Sequence, residues 1–506
     1  MHSVYHLVAV FSAQERLRLH NALQPDKTKG ENKYLQLFEF LSSCSKPPSP
    51  GEASFAVYGS PADSKISKLA QRLRQKILDI IITESFLEAN ERLTHESAAW
   101  LSAKRKAFQV SVLYNLAGSG ASTVELTEEA IAEASSSGAH AQLLELYHYK
   151  RGTASFTAGE KDFLQCTHKL QYHLKCFETN EKILGEYYRI TNPQGFGRAE
   201  AAAEQAKKIK DFLDGIEKDK EYVTGAQHNY LLCVIRTEYL LLCDRAEEAK
   251  MRLGEFMLNL SLSDSDNGII KAKLHSHIAA CDLLSGNYDK SIAGYEHCLE
   301  TFRNTNLFNY FVHLVSVFYP LFYSGRNAYA EKIVNEIISG GRYPINDFRS
   351  EEPKYFLACI RFREREFSAA LKILNGLSAL AKDKTGYEIA IRILRIQCLL
   401  ELQRPDEASP QIENLRKHVS RHKSKNYISE RNRLITQVLI CMDKRGFSGA
   451  AEKQEAGLLE KLCSRERPLR WECRTPELIV FHHWYVDFHG HRNGRKTDRK
   501  KESQFQ

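Results

Sequence analysis

The sequence predicts an all-α protein in which helix pairs stack into a solenoid. A small residue opens an amphipathic segment six times in the second half of the chain, at intervals of 38 to 42 residues. A period in this range is typical of stacked helix pairs. With only 13 prolines and 27 glycines in 506 residues, helix breakers are few, which favours long helices. The six small residues are Ala249, Ser291, Ala330, Ala370, Ala408 and Ala450.

Residues 1–95 form a predicted N-terminal helical block. Ser12 and Glu15 make a capping-box pattern at the start of its first clear helix. Apolar residues on one face predict further helices over Glu31–Leu41 and Ser64–Leu87. Between them, Ser45–Asp63 is rich in Pro, Gly and Ser, and this composition predicts a loop.

Residues 96–226 are predicted to hold degenerate helical repeats. Trp100 begins an amphipathic stretch that ends near Gly118, and Gly118-Ser-Gly120 then predicts a turn between two helices. Ala130 precedes Ala249 by 119 residues, which is close to three further intervals. The helix-forming stretches of this region are Ala139–Tyr149, Lys161–Phe177 and Ala199–Ile216.

The repeat is clearest in the segment IAACDLLSGNYDKSIAGYEHCLE, which resembles the tetratricopeptide (TPR) signature. Gly286 lies at the turn, and Tyr288 follows it. Ser291 occupies the small position of the second helix, with Tyr295 four residues later, and Ala279 matches the small position of the first helix. Small residues at these two positions allow two helices to approach closely, and the tyrosines fill the space beside them.

Three other segments repeat parts of this pattern. RFREREFSAALKIL supplies Phe367 and Ala370, KRGFSGAA supplies Phe447, and YSGRNAYAEKIV supplies Gly325. The period near 40 exceeds the TPR length of about 34 residues. Pro320 is expected to kink or interrupt its helix.

The resemblance implies a right-handed TPR-like α-solenoid of antiparallel helix pairs over residues 227–460. A capping helix is predicted in 461–490, with Thr475 and Pro476 as its N-cap and first-turn proline. A basic disordered tail is predicted over 491–506. In the related fold the first helix of each pair lines a concave face. The corresponding residues, predicted to contact a partner, are Tyr319, Tyr323, Tyr355, Arg363 and Gln397.

Signatures of catalysis are sparse, and no cofactor is expected. The sequence has no HExxH and no GxSxG, and the glycines at 118 and 120 lack the lysine of a phosphate loop. Histidines cluster near the C-terminus around Asp487, where a metal could bind. The same stretch carries aromatic residues at helical spacing, which favours a buried helix with its histidines at the rim. The histidines concerned are His482, His483, His489 and His491.

Positive charge is concentrated in the C-terminal fifth of the chain. Residues 415–506 carry 21 Lys and Arg against 11 Asp and Glu. Two runs dominate, 415–433 and the tail 491–506. Such runs can contact nucleic acid or other polyanions, but they also occur as ordinary solvated surface.

We therefore expect a scaffold or adaptor without enzymatic activity that binds a protein or peptide through the concave face. The alternative is a nucleic-acid- or ribosome-associated protein that uses the basic C-terminal fifth. A metal-dependent enzyme at the C-terminal histidines is a third class. No transmembrane segment is predicted, because the longest apolar stretch, Leu307–Tyr323, is too short and is interrupted by polar residues. Twelve cysteines at irregular spacings favour a reducing cytoplasm.

Overall fold

The computed structural model contains helices and no strand in the residues that it describes. These are residues 2–24, 32–61, 65–81, 83, 95–157, 159–191, 202–260, 266–305, 307–339, 347–378, 386–421, 428–448, 452–473 and 475–490. The chain divides into two compact units, Met1–Phe177 and Glu178–Gln506. An all-α fold is thereby confirmed.

The described part of the first unit is mostly helical. Its helices are α1 (His2–Val10), α2 (Ala13–Leu23), α3 (Lys33–Ser43), α4 (Pro50–Tyr58), α5 (Lys65–Ile81), α6 (His95–Ala117), α7 (Ala121–Ser136), α8 (His140–Thr157) and α9 (Gly159–Thr191), the last of which continues into the second unit. The capping box of Ser12 and Glu15 is present at the start of α2. The turn at Gly118 also lies between two helices as predicted, with φ at +66°.

The predicted loop over Ser45–Asp63 is wrong, because α4 lies inside it. Ser49 accepts a bond from the backbone N–H of Glu52, and the Glu52 carboxylate accepts one from the Ser49 backbone. Pro50 occupies the first turn, and Gly59 ends the helix with φ at +69°. The Pro, Ser and Gly residues that suggested a loop are therefore the caps of a short helix.

Two separate apolar clusters stabilise the first unit. One contains residues of all five helices from α1 to α5 and includes Leu37, Phe38 and Leu73. The other contains residues of α6, α7 and α8. Residues 84–94, between the two clusters, lie outside the described residues, and the domain boundary after residue 95 stays a prediction.

In the second unit, from residue 202 to residue 462, each α-helix packs against the next α-helix in the chain. After α9 come α10 (Ala202–Lys218), a 3₁₀ turn (Lys220–Tyr222), α11 (Ala226–Leu242), α12 (Ala246–Asn259), α13 (Asp266–Leu284), α14 (Tyr288–Thr305), α15 (Leu307–Tyr323), α16 (Asn327–Ser339), α17 (Asp347–Arg363), α18 (Phe367–Asn375), α19 (Tyr387–Glu401), α20 (Pro405–Arg421), α21 (Glu430–Lys444), α22 (Lys453–Leu462) and α23 (residues 481–490).

Five of the six periodic small residues occupy equivalent places in this succession. Each is the fourth residue of its helix, and each is fully buried. They are Ala249, Ser291, Ala330, Ala370 and Ala408. The sixth, Ala450, lies outside the described residues. The period in the sequence therefore marks a buried small residue in the first turn of each of these five helices.

A left-handed residue precedes each of these five positions by five residues. These residues are Asp244, Gly286, Gly325, Arg365 and Gln403, with φ between +57° and +79°. Each ends a helix in the same way, because the amide of the next residue bonds a carbonyl five positions back, as Arg245 does with Leu240 at 2.9 Å. Only two of the five are glycines, so three turns keep this geometry against the preference of their side chains.

Helices α13 and α14 approach closely at their small residues. The Ser291 hydroxyl donates to the Ala279 carbonyl at 2.8 Å, and a Cβ added to Gly294 would lie 2.9 Å from the Ala279 Cβ. The small positions of the TPR-like segment therefore face one another, as the sequence predicts.

The predicted interruption at Pro320 is not seen, because α15 continues through it to Tyr323. Pro320 lies in the last turn, and its neighbours Leu321 and Phe322 are fully buried. The packing of these side chains offsets the one helical hydrogen bond that the proline removes.

The close approach predicts that Gly294→Ala destabilises the protein by about 1–3 kcal/mol, because the added methyl group needs space already filled by Ala279. Gly254→Ala is the matched control. Gly254 lies in α12 with nothing within 4 Å of an added Cβ. This control should stabilise by about 0.5–1 kcal/mol, since alanine favours the helix. Chemical denaturation of both variants measures the difference, and equal effects would contradict the packing.

Candidate functional site

The residues that follow α22 form an irregular stretch of turns and bends, which contacts α11, α15, α17 and α21 and ends in α23. We call residues 464–490 the C-terminal segment and residues 464–472 its arm. Leu462, before the arm, and Cys473, after it, are buried, whereas no residue of the arm is buried. The arm is thus a half-exposed chain between two buried anchors.

The arm contacts the end of α11, 226 residues earlier in the chain. Arg467 donates to the carbonyls of Leu241 and Leu242, and Arg470 forms an ion pair with Asp244 at 2.6 Å. Both arginines also contact Glu472 of the arm itself. A helix C-terminus carries unpaired carbonyls and a partial negative charge, which guanidinium groups complement.

Two tyrosines on first helices of successive pairs bind the main chain of the C-terminal segment. The Tyr323 hydroxyl donates to the Cys473 carbonyl at 3.0 Å, and the Tyr355 hydroxyl donates to the Pro476 carbonyl at 2.6 Å. Burial raises the pKa of both phenols well above its ordinary value, so both stay protonated donors. The Trp471 ring meets the Tyr323 ring edge-on, with centroids 5.2 Å apart.

The buried guanidinium of Arg431 is the central polar contact of the segment. Its Nη1 donates to the Leu462 and Leu469 carbonyls at 2.8 and 2.9 Å. Its Nε and Nη2 bind the Glu477 carboxylate at 2.6 and 2.8 Å, and Nη2 also meets His482 Nδ1 at 3.1 Å. All five N–H groups of Arg431 are therefore satisfied.

His482 serves as an acceptor in this network. Burial, with the nearby charge of Arg431 as a second cause, lowers the pKa of His482 to about 4. Its ring is consequently neutral at neutral pH, and Nδ1 accepts a bond from Arg431.

Helix α23 is joined to the preceding helices by a second buried ion pair. Arg445 bonds the Glu455 carboxylate at 2.8 and 3.1 Å, and the Tyr485 hydroxyl donates to the same carboxylate at 2.6 Å. Arg445 also meets His489 at 3.0 Å, and the Trp484 indole donates to Glu401 at 2.8 Å. We call the residues that the C-terminal segment touches the covered face: Leu241, Leu242, Asp244, Tyr323, Tyr355, Glu401, Arg431, Arg445 and Glu455.

The predicted start of this last helix at Thr475 and Pro476 is wrong. The helix begins at residue 481, where the Phe481 amide donates to the Glu477 carboxylate at 3.0 Å. Pro476 instead lies in the non-helical stretch before α23, where Tyr355 donates to its carbonyl.

The five predicted partner-contact residues have different surroundings. Tyr323 and Tyr355 contact the C-terminal segment. Arg363 donates to the Phe322 carbonyl and lies 4.5 Å from the centroid of that ring. Tyr319 packs edge-on to Phe356, and Gln397 is buried with no hydrogen-bond partner for its Nε2.

Other residues of the site carry weaker signals in the sequence. Arg431 is hidden in the basic run 415–433, and Asp244 lies in a turn without a motif. Arg467, Arg470 and Trp471 form the only local pattern, two arginines three residues apart followed by an aromatic residue. That pattern does not indicate which surface it meets.

The C-terminal histidines have protein partners. His482 and His489 contact Arg431 and Arg445 respectively, and His483 is exposed. Within the ranges that the structure describes, no group of three or more His, Cys, Asp or Glu side chains has the arrangement of a metal site. His491 lies outside those ranges.

Comparison of the chain with protein-family models, with curated proteins and with solved structures gave no match. Among the helices in the described residues, none combines the length and the apolar character that crossing a bilayer requires.

Arg431→Ala should lower the free energy of unfolding by about 3–5 kcal/mol, because it leaves the Glu477 carboxylate buried without its partner. Arg416→Ala is the matched control. This arginine belongs to the same basic run, but its ion pair with Glu413 is half exposed and should contribute little to stability. Denaturation followed by tryptophan fluorescence reports on the segment directly, through Trp471 and Trp484. Similar losses in both variants would rule out the central role of Arg431.

The neutral state of His482 predicts a loss of stability in acid. Its pKa is about 4 in the folded chain against an ordinary value of 6.5. The unfolded chain therefore binds the proton first, and this stability is complete above pH 6.5 and is lost as the pH falls towards 4. We expect a loss of about 1–2 kcal/mol after solvent screening.

His482→Asn provides the comparison for this pH dependence, since the amide oxygen can replace Nδ1 as the acceptor but does not titrate. The denaturation midpoints of the two chains are measured from pH 7.5 downward. As the pH falls, the midpoint of the unaltered chain should decrease more than that of the variant. A difference that stays constant with pH would show that His482 does not titrate as described.

Proposed function

We propose that this protein is a non-enzymatic scaffold or adaptor that binds an extended segment of a protein partner on the covered face. The observation that supports this function is the contact of Tyr323, Tyr355 and Arg431 with backbone carbonyls of a non-helical polypeptide segment. Contacts to the main chain do not depend on side-chain identity, and they are a common source of affinity for extended peptides.

We infer that the helix pairs of residues 227–460 are TPR-like and antiparallel, and that they stack with right-handed curvature. The buried small residues and the repeated left-handed turns support this architecture. The first helices then share one side of the array, which agrees with the positions of Tyr323 on α15 and Tyr355 on α17. A reducing cytoplasm remains the proposed location, with its support in the irregular cysteines.

The nucleic-acid alternative has less support than the scaffold function. The arginines that the structure describes in the C-terminal fifth include five that form ion pairs with carboxylates: Arg416, Arg431, Arg445, Arg467 and Arg470. Paired arginines contribute less to phosphate binding than free ones. Residues 422–427 and 491–506 lie outside the described residues, and their role stays a prediction.

Co-purification with the tagged full-length chain from native cells, under mild conditions, tests this function. We expect a protein partner whose recovery falls about tenfold in the Tyr323→Phe, Tyr355→Phe double variant, because each hydroxyl bond contributes about 0.5–1.5 kcal/mol. The matched control is Tyr329→Phe. It also removes a tyrosine hydroxyl, but that hydroxyl donates from α16 to Glu296 on α14 and does not contact the C-terminal segment. Recovery of no partner, or equal recovery with the double variant, would contradict the proposal.

A further inference from the structure

The arm differs from the rest of the C-terminal segment in how it is held. Residues 478–490 bury Leu478, Phe481, Trp484 and Phe488 in the apolar core. The arm buries none of its residues, and its contacts with α11 are hydrogen bonds and partly exposed ion pairs. Such ion pairs contribute little stability, about 0–1 kcal/mol each, so the contact with α11 is the weakest part of the segment. Displacement of the arm also breaks the bond from Arg431 to the Leu469 carbonyl.

The surface beneath the arm carries more acidic than basic side chains, and Glu248 is already paired with Arg245 and Arg252. Asp244, Glu247 and Glu248 lie within five residues at the junction of α11 and α12, beside the carbonyls that end α11. The two arm arginines supply the complementary charge here. This junction therefore favours a segment with two guanidinium groups.

A cavity of about 610 Å³ remains between the arm and this junction. Apolar and aromatic side chains line part of it, including Leu241, Leu283, Tyr288 and Trp471. The arm consequently occupies the surface without filling it, and a bulkier segment has space to bind in its place.

We propose that the arm is an intramolecular substitute for a partner segment, and that this segment carries two arginines three residues apart followed by an aromatic residue. Binding of the partner displaces the arm from the α11–α12 junction. The inference rests on the proposed function and deepens it, because it names the chemistry of the extended peptide and the contact that the peptide must replace.

Competition between arm and partner follows from their shared contacts. A tethered arm acts at an effective concentration on the order of millimolar, so a separate peptide of the same sequence binds the unaltered chain weakly. Weakening the arm should expose the site to the peptide, and added salt should weaken peptide binding.

A fluorescein-labelled synthetic peptide with the sequence of residues 464–477, SRERPLRWECRTPE, is the probe. Fluorescence anisotropy compares its binding to the unaltered full chain and to the full-length Arg467→Ala, Arg470→Ala variant. We expect at least tenfold tighter binding to the variant. Adding Asp244→Asn to the variant should weaken binding about tenfold. Asparagine also tolerates the left-handed backbone of Asp244, so the turn is preserved. A control peptide in which alanine replaces the arginines that correspond to Arg467 and Arg470 should bind at least tenfold more weakly.

Three results would overturn the inference: equal binding to both chains, binding that is insensitive to Asp244→Asn, or no binding to the variant.

If the double variant does not fold, hydrogen exchange of the unaltered chain tests the inference instead. Excess unlabelled peptide should then accelerate exchange in residues 464–472, and unchanged exchange overturns the inference. Light scattering that shows a dimer of the unaltered chain, dissociated by the peptide, would assign the junction to a second copy and also overturn it.

These outcomes separate the inference from the proposed function. If the cellular partner is recovered equally with Asp244→Asn but is lost with the Tyr323, Tyr355 double variant, the scaffold function stands and the arginine-bearing partner segment is excluded. If recovery of the partner falls with both variants, the result supports the scaffold function and the arginine-bearing partner segment.

Discussion

The buried guanidinium of Arg431 is the interaction on which the arrangement of the C-terminal segment depends. It joins α21 to the end of α22, to the arm at Leu469, to Glu477 and to the first turn of α23. Burying an arginine is costly unless every donor is bonded and a carboxylate is near. Here both conditions are met, and the charge fixes the path of a chain whose own backbone hydrogen bonds between α22 and α23 are those of isolated turns.

The helices that precede this network share one repeated turn geometry. A left-handed residue ends the first helix, and a small buried residue follows five positions later. The same geometry is kept by glycine at 286 and 325 and by Asp, Arg and Gln at 244, 365 and 403. Packing of successive helices therefore imposes the turn, and glycine only makes it easier to form.

The consequence for function is that a polypeptide of the same chain already contacts α11, α15, α17 and α21. Its two parts differ physically. Residues 478–490 belong to the core through large apolar side chains, whereas the arm relies on charge at the end of α11. A surface of this kind supports reversible exchange at the arm without loss of the fold.

Most of the fold could be predicted from local sequence, because helical spacing, capping boxes and small residues act between near neighbours in the chain. The short helix Pro50–Tyr58 was missed since its caps resemble loop residues, and Pro320 was given too much weight against the buried side chains beside it. The candidate site was found only in part. Tyr323 and Tyr355 follow from the repeat, but their contacts with residues 473 and 476 lie more than 100 positions away.

The sequence by itself therefore determined the helices, their period and the small residues at which they cross. Only the tertiary structure decided what covers the first helices and which charges are buried. Arg431 and Arg416 belong to the same basic run, yet one is buried against Glu477 and the other is half exposed beside Glu413. The physical reason is that burial and ion pairing depend on which distant segments of the chain come into contact. Local sequence patterns do not specify those tertiary contacts.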